Sequence, residues 1–289
     1  MDVITKQIRE GTALNLFINR NLYQGNGKRP TGWNRYRDLL ERNFQKLLKA
    51  NLLTILLFLP YAAGVALAIL SSSILILLPA CIIGGAIAGP ALACMYDTVF
   101  RSLREAPGGF MDNYKHAWKQ NWRQSIVPGI IFCTFMGFYL FMLMLFWWAT
   151  RFPGFGTIAI FLCGLLLWIT FFAIYWPLLV LFEQTGIQRF KNSILFILRF
   201  FWKMMGISAL QLLYWAVMIL FLPWSVILLP IAGIWFILYS ANFLLYDTIN
   251  ETFHLEEQIA ESYPEQVPFY EDDETWLKRN QEELREIDC

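Results

Sequence analysis

The strongest constraint on how this chain folds is a set of long apolar runs that contain no ionisable side chain. A helix crossing the hydrocarbon layer of a bilayer needs about 20 mostly apolar residues. Six windows meet or approach that length: 50–70, 74–96, 126–149, 155–182, 204–222 and 226–246. None contains Lys, Arg, Asp, Glu or His. Hydrocarbon offers no partner to a backbone N–H or C=O, so these windows are expected to be helices. Pro60, Pro79, Pro90, Pro128, Pro177 and Pro230 lie in or near them, where a membrane bundle tolerates proline as a kink. Leu222-Pro223-Trp224 is read as the turn between the last two windows.

Composition agrees. Apolar residues make up 57% of the 289 residues and charged ones 16%, against about 45–50% and about 25% in soluble domains. The first apolar run begins near Asn51, beyond the reach of a secretory signal peptide, and is expected to be retained as a span.

The links between windows alternate. The first, third and fifth are tiny: Ser71-Ser72-Ser73, 150–154 and the neighbourhood of Pro223. The second carries Arg101, Arg104, Lys115, Lys119 and Arg123, and the fourth carries Arg189, Lys191, Arg199 and Lys203. Ten Lys or Arg precede the first window. Basic residues at span ends mark the cytoplasmic side, so six spans with both termini in the cytoplasm are expected. Three regions follow: a basic cytoplasmic segment 1–41, a membrane domain 42–246, and an acidic cytoplasmic tail 247–289. The tail holds fourteen Asp or Glu against Lys278, Arg279 and Arg285. Within it, 263–268 reads as an extended linker and Trp276–Ile287 as a short helix.

The chain also repeats itself. Tyr96-Asp97-Thr98 and Tyr246-Asp247-Thr248 match at the cytoplasmic ends of two hairpins, with Leu78-Pro79 and Leu229-Pro230 at nearly the same distance before them. Asn43-Phe44-Gln45-Lys46, Gln120-Asn121-Trp122-Arg123 and Phe200-Phe201-Trp202-Lys203 each set an aromatic and a base just ahead of a span. The fold expected is an all-α integral membrane protein. Its six transmembrane helices form three tandem hairpins, each preceded by a cytoplasmic elbow helix in the interface.

The residues that carry chemistry are few. Phe110, Tyr114, Trp118 and Trp122 recur every four residues and make one stripe on a helix, with Lys115, Lys119 and Arg123 beside it. Such a helix suits the headgroup layer, rings down and bases toward anionic lipid headgroups, or docking of a partner protein. Gly85 and Gly89 form a small-xxx-small pair that lets two helices approach closely. Asp97 and Asp247 are the polar residues at the repeat boundaries; local hydrogen bonding is the simpler account of them than proton relay. Polar residues within the windows are few, among them Asn51, Thr54, Thr134, Thr170, Gln211 and Asn242.

No nucleophile, phosphate-loop or dinucleotide motif occurs, and neither His116 nor His254 lies in a metal-binding spacing. Cys81, Cys94, Cys133 and Cys163 sit in apolar runs and read as packing residues. The chain is therefore expected to be no enzyme, to use no cofactor or metal, and to bind no nucleic acid.

From Arg42 to Gly129 the succession of motifs is distinctive. Asn51-Leu52-Leu53-Thr54 is followed by Leu59-Pro60, Pro90-Ala91 and Met95. Asp97-Thr98, Arg101-Ser102-Leu103-Arg104, Pro107-Gly108, Tyr114 and Ala117-Trp118-Lys119-Gln120-Asn121 complete it. This succession resembles the YesL-like family of small bacterial membrane proteins, a family of unknown function whose genes often neighbour those for carbohydrate uptake and degradation. The resemblance implies a multi-pass protein of the bacterial plasma membrane and hints at sugar transport. It brings no catalytic or binding residues. The role expected is accessory or regulatory to another membrane system, such as a sugar transport system; the alternative is a transporter or channel for a small neutral solute.

Overall fold

The computed structural model describes residues 31–106, 108–148 and 153–262. Among these there are nine helices and no strand. They are α1 (Gly32–Leu70), α2 (Ile74–Leu103), α3 (Phe110–Trp148), α4 (Phe155–Leu181), α5 (Gly186–Arg199), α6 (Phe201–Leu220), α7 (Trp224–Ala232), α8 (Ile234–Phe253) and α9 (Leu255–Ser262). Five, α1 to α4 and α6, are long and apolar enough to cross a membrane. The bent pair α7 and α8 makes a sixth if counted as one span. The chain is an all-α membrane protein. The N-terminal basic segment through residue 30, most of the third link, and the linker and helix expected in the acidic tail lie outside the described residues.

Hairpins organise the bundle, with two departures from the sequence reading. In the first two units the elbow does not form a separate helix: α1 and α3 each run unbroken for 39 residues from charged half to apolar half. Their prolines, Pro60 and Pro128, fall inside the apolar half, where each leaves one ladder bond unmade without ending the helix. Only the third unit has a distinct elbow. There α5 begins on a capping box, in which Gln188 N–H donates to Thr185 Oγ1 and Thr185 N–H to Gln188 Oε1. It ends at Phe200, whose backbone leaves the helical region. The sixth window is not one helix either. It is bent by 55° between α7 and α8, around Pro230 and Gly233. At about 14 Å, the nine residues of α7 are too short to cross alone.

Close backbone approach fixes the α2–α3 contact. A Cβ on Gly89 would stand 2.3 Å from the carbonyl oxygen of Ser125, and one on Gly85 2.7 Å from Cα of Ile130. Gly129 faces both from α3: its Cβ would meet Cα of Gly89 at 2.4 Å. Removing side chains on both helices brings many backbone atoms into dispersion contact, which replaces the hydrophobic drive that lipid does not supply. The turn into α3 uses Gly108 at φ 114°, a conformation that side chains disfavour. α3 then packs on α4 through stacked Phe135 and Trp168 rings, 3.8 Å between centroids.

The last helix of each unit lies against the charged segment of the next. α2 meets the start of α3, where Cys94 faces the Tyr114 carbonyl oxygen at 4.0 Å. α4 meets α5 through Phe171 and Phe190, 5.4 Å apart. α8 returns to α1: Tyr239 donates its hydroxyl to the Tyr36 carbonyl at 3.1 Å, and Trp235 sits edge-on to Phe44 at 5.7 Å. The three units thus close into a ring. α2 is its most enclosed member, buried without interruption from Ala88 to Phe100. The main core cluster, with Trp176, Tyr239, Phe100 and Met95, joins residues of α1, α2, α4, α5, α6 and α8.

Candidate functional site

Two polar assemblies stand out against this apolar body. The first gathers the charges. Arg35, buried on the inner face of α1, donates to the Leu103 carbonyl at the end of α2 (3.1 Å), pairs with Asp247 of α8 (3.6 Å) and lies over the Tyr246 ring (5.1 Å). One guanidinium thereby ties three helices together. Two turns later Arg42 pairs with Asp38 and with Glu105, the latter at 2.9 Å. Asp97 accepts from Arg101 Nε at 2.7 Å within α2. Arg104 is buried beside them, and that burial lowers its pKa from the ordinary arginine value while Asp97 opposes the shift. Tyr246 donates to Glu256 of α9 at 2.6 Å.

Of the repeat-boundary aspartates, Asp97 is thus buried in a local pair, whereas Asp247 is largely exposed and reaches across the ring closure. The elbows show a further correspondence. Arg35-Tyr36-Arg37, Asn113-Tyr114-Lys115 and Arg189-Phe190-Lys191 occupy matching places, and a buried position recurs at four-residue steps after each: Leu39 and Asn43, Ala117 and Asn121, Ser193. Arg189, 2% exposed, repeats the habit of Arg35. It donates to Gln124 Oε1 (2.9 Å) and the Gln184 carbonyl (3.0 Å) and lies over Tyr175 (5.7 Å). No carboxylate meets it among the described residues.

The second assembly surrounds the break between α7 and α8. Asn51, fully buried, donates through Nδ2 to the carbonyls of Leu229 and Pro230, both at 2.9 Å. Its Oδ1 accepts from the N–H groups of Ile234 (3.0 Å) and Trp235 (3.3 Å). From α6, Tyr214 donates to the carbonyls of Ala232 and Gly233, the latter at 3.0 Å. Backbone groups freed by the bend are therefore satisfied by side chains, as hydrocarbon surroundings demand. A Cβ at Gly233 would collide with the Leu229 carbonyl oxygen at 2.2 Å.

The aromatic stripe of α3 divides. Tyr114 is buried, packing with Cys94 and Ala117; Phe110 and Trp118 are half-buried against the same cluster, and Trp122 is exposed. Lys115, Lys119 and Arg123 all point outward. Gly85 and Gly89 serve packing inside the chain. No group of three or more His, Cys, Asp or Glu residues could hold a metal ion among the described residues.

Sequence reasoning singled out Asn51 but not its partners, counted Arg35 and Arg189 only as charges of basic segments, and passed over Tyr214 and Gly233. A usable signal was present: Pro230 followed three residues later by Gly233 interrupts an apolar run, as discontinuous membrane helices do.

No curated protein and no solved structure matches the chain. One family model does, over residues 47–143, described as "Protein of unknown function, DUF624". That segment runs from the end of the α1 elbow, through α2 with Gly85, Gly89 and Asp97, into the apolar half of α3. The YesL-like family is a DUF624 family, so this match, over about a third of the chain, is consistent with the resemblance carried by the same residues.

Proposed function

We propose that this protein is a non-enzymatic accessory component of another membrane system, with carbohydrate uptake the system suggested by the YesL-like resemblance. The observation that carries this reading is how the charges are used. Those buried or partly buried are satisfied within the protein: Arg35, Arg42 and Arg189 reach across to other elements, and Asp97 pairs with Arg101 inside α2. Lys115, Lys119 and Arg123 remain outward along α3, ready for an acidic partner surface or for anionic headgroups. This face is read as cytoplasmic because the basic links and both charged termini belong to it, and the membrane as a bacterial plasma membrane.

The test is purification of the full chain from its native membrane in mild detergent. A stoichiometric membrane-protein partner, released when Lys115, Lys119 and Arg123 are all changed to Glu, supports the proposal. Repeated recovery of the chain alone overturns it.

The broken helix favours a second reading, a transporter or channel for a small neutral solute, since such breaks frame binding sites in several transporter folds. Here the freed backbone groups already have partners in Asn51 and Tyr214. Solute flux into vesicles holding only this protein would establish this alternative.

A further inference from the structure

A small crevice opens where α1, α2 and the start of α3 meet, with a free volume of about 10 Å³. That is close to what one water-sized atom needs. Lys46 and Asn43 line it from α1, Thr98, Arg101 and Ser102 from α2, and Asn113 from the first turn of α3. Ala106 and Phe110 complete the lining, which is part polar and part apolar, and several of its polar groups are already engaged. Thr98 and Ser102 give their hydroxyl protons to the Cys94 and Thr98 carbonyls of their own helix, and Asn43 Nδ2 donates to Leu39. Asp97 engages Arg101 at 2.7 Å.

Lys46 is different. It is half-buried, and no hydrogen bond or ion pair reaches it among the described residues. A partly desolvated ammonium without a counter-charge is unfavourable unless an anion comes to it. Its depth suggests which anion. Lys46 lies four residues before the charge-free window of α1, and Arg101 five beyond that of α2, so both stand at the edge of the hydrocarbon, where phospholipid phosphates lie.

We infer that this crevice is an oxyanion site that takes one phosphate oxygen against Lys46 and Arg101, with the phosphate supplied by an anionic phospholipid headgroup. The Asn43 amide, with one N–H given to Leu39, has a second to offer an oxygen, and the crevice is too small to admit more than one oxygen atom. The site lies between helices of the first hairpin and the second unit, so an occupied site bridges them. The inference rests on membrane residence and not on the accessory role proposed above.

The experiment uses the full chain in neutral detergent, with native mass spectrometry to count retained lipid. The probes are phosphatidylglycerol and, as the phosphate-free control, diacylglycerol with the same acyl chains. Wild-type protein should retain phosphatidylglycerol over diacylglycerol. Lys46→Gln should weaken that retention about tenfold, as expected for one lost charge-assisted hydrogen bond. Lys46→Arg should restore most of it, and Lys119→Gln, on the outer face of α3, should leave it within about twofold. Millimolar inorganic phosphate forms a second arm: if it displaces the lipid and protects the wild type but not Lys46→Gln against thermal unfolding, free phosphate is the natural occupant. Equal retention by wild type and Lys46→Gln, with no effect of phosphate on either, overturns the site and leaves the crevice to water. Lys46→Arg keeps the test valid should Lys46→Gln fold poorly.

Discussion

Asn51 spends both ends of its amide on the backbone of a helix break 178 or more residues further along the chain. Replacing it with Leu keeps the branch at Cγ and removes four hydrogen bonds at once. Each buried backbone group left without a partner costs about 1–3 kcal/mol. Partial relaxation of the bend should hold the total near 2–4 kcal/mol. A clear fall in the midpoint of thermal unfolding in detergent is therefore expected, and an unchanged midpoint would refute the role given to this side chain. Gly89 makes a companion case. Gly89→Leu forces atoms against the Ser125 carbonyl and should cost about 2–3 kcal/mol by overpacking α2 against α3. The same change at Gly154, where a Cβ meets nothing, should cost far less. Of these positions the glycine pair was legible from its spacing alone. Asn51 was visible only as a rare polar residue in an apolar run. Its partners were not legible, because they are backbone atoms exposed by a bend whose position depends on α6 and α1 packing beside it.

At the scale of elements, each of the first five apolar windows falls on one helix long and apolar enough to cross, because a charge-free run of that length has no alternative to helix in lipid. Boundaries within the long helices were harder. Nothing in α1 or α3 marks where charged half becomes apolar half except the change of side chains, and an α-helix propagates through such a change at no backbone cost. The independent elbow, α5, has its own start signal at Thr185. Its outward residues Ile187, Phe190, Leu195 and Leu198 are at least half exposed, while Arg189, Ser193 and Phe196 turn inward. This inverts the soluble pattern of apolar inside and polar outside, and it fits a helix bathed by lipid on its outer face. Spin labels at Ile187 and Leu198 should be relaxed more by oxygen than by a water-soluble nickel chelate. The opposite order would place α5 in water.

For the whole molecule two outcomes can be measured. A reporter inserted at Ser72 should read as extracytoplasmic and one at Gly108 as cytoplasmic; the reverse would invert the orientation. The ring should also reveal itself chemically. With the native cysteines changed to Ser, Cys placed at Phe44 and Trp235 should be joined by a short bifunctional maleimide in the intact protein. Failure to join them would open the ring. The repeat seen in Tyr96-Asp97-Thr98 and Tyr246-Asp247-Thr248 foreshadowed three units but not their closure, since contacts between the first and last helices leave no trace in local periodicity. That closure has a consequence for biosynthesis. The partners of Tyr36 and Asn51, and Asp247 opposite Arg35, are the last parts of the bundle to leave the ribosome, so the first membrane helix must wait in the bilayer with part of its inner face uncovered until the final hairpin arrives. A chain that stalls after α4 would present Asn51 without its partners and Arg35 without Asp247, a ready mark by which membrane proteases could tell an unfinished copy from a finished one.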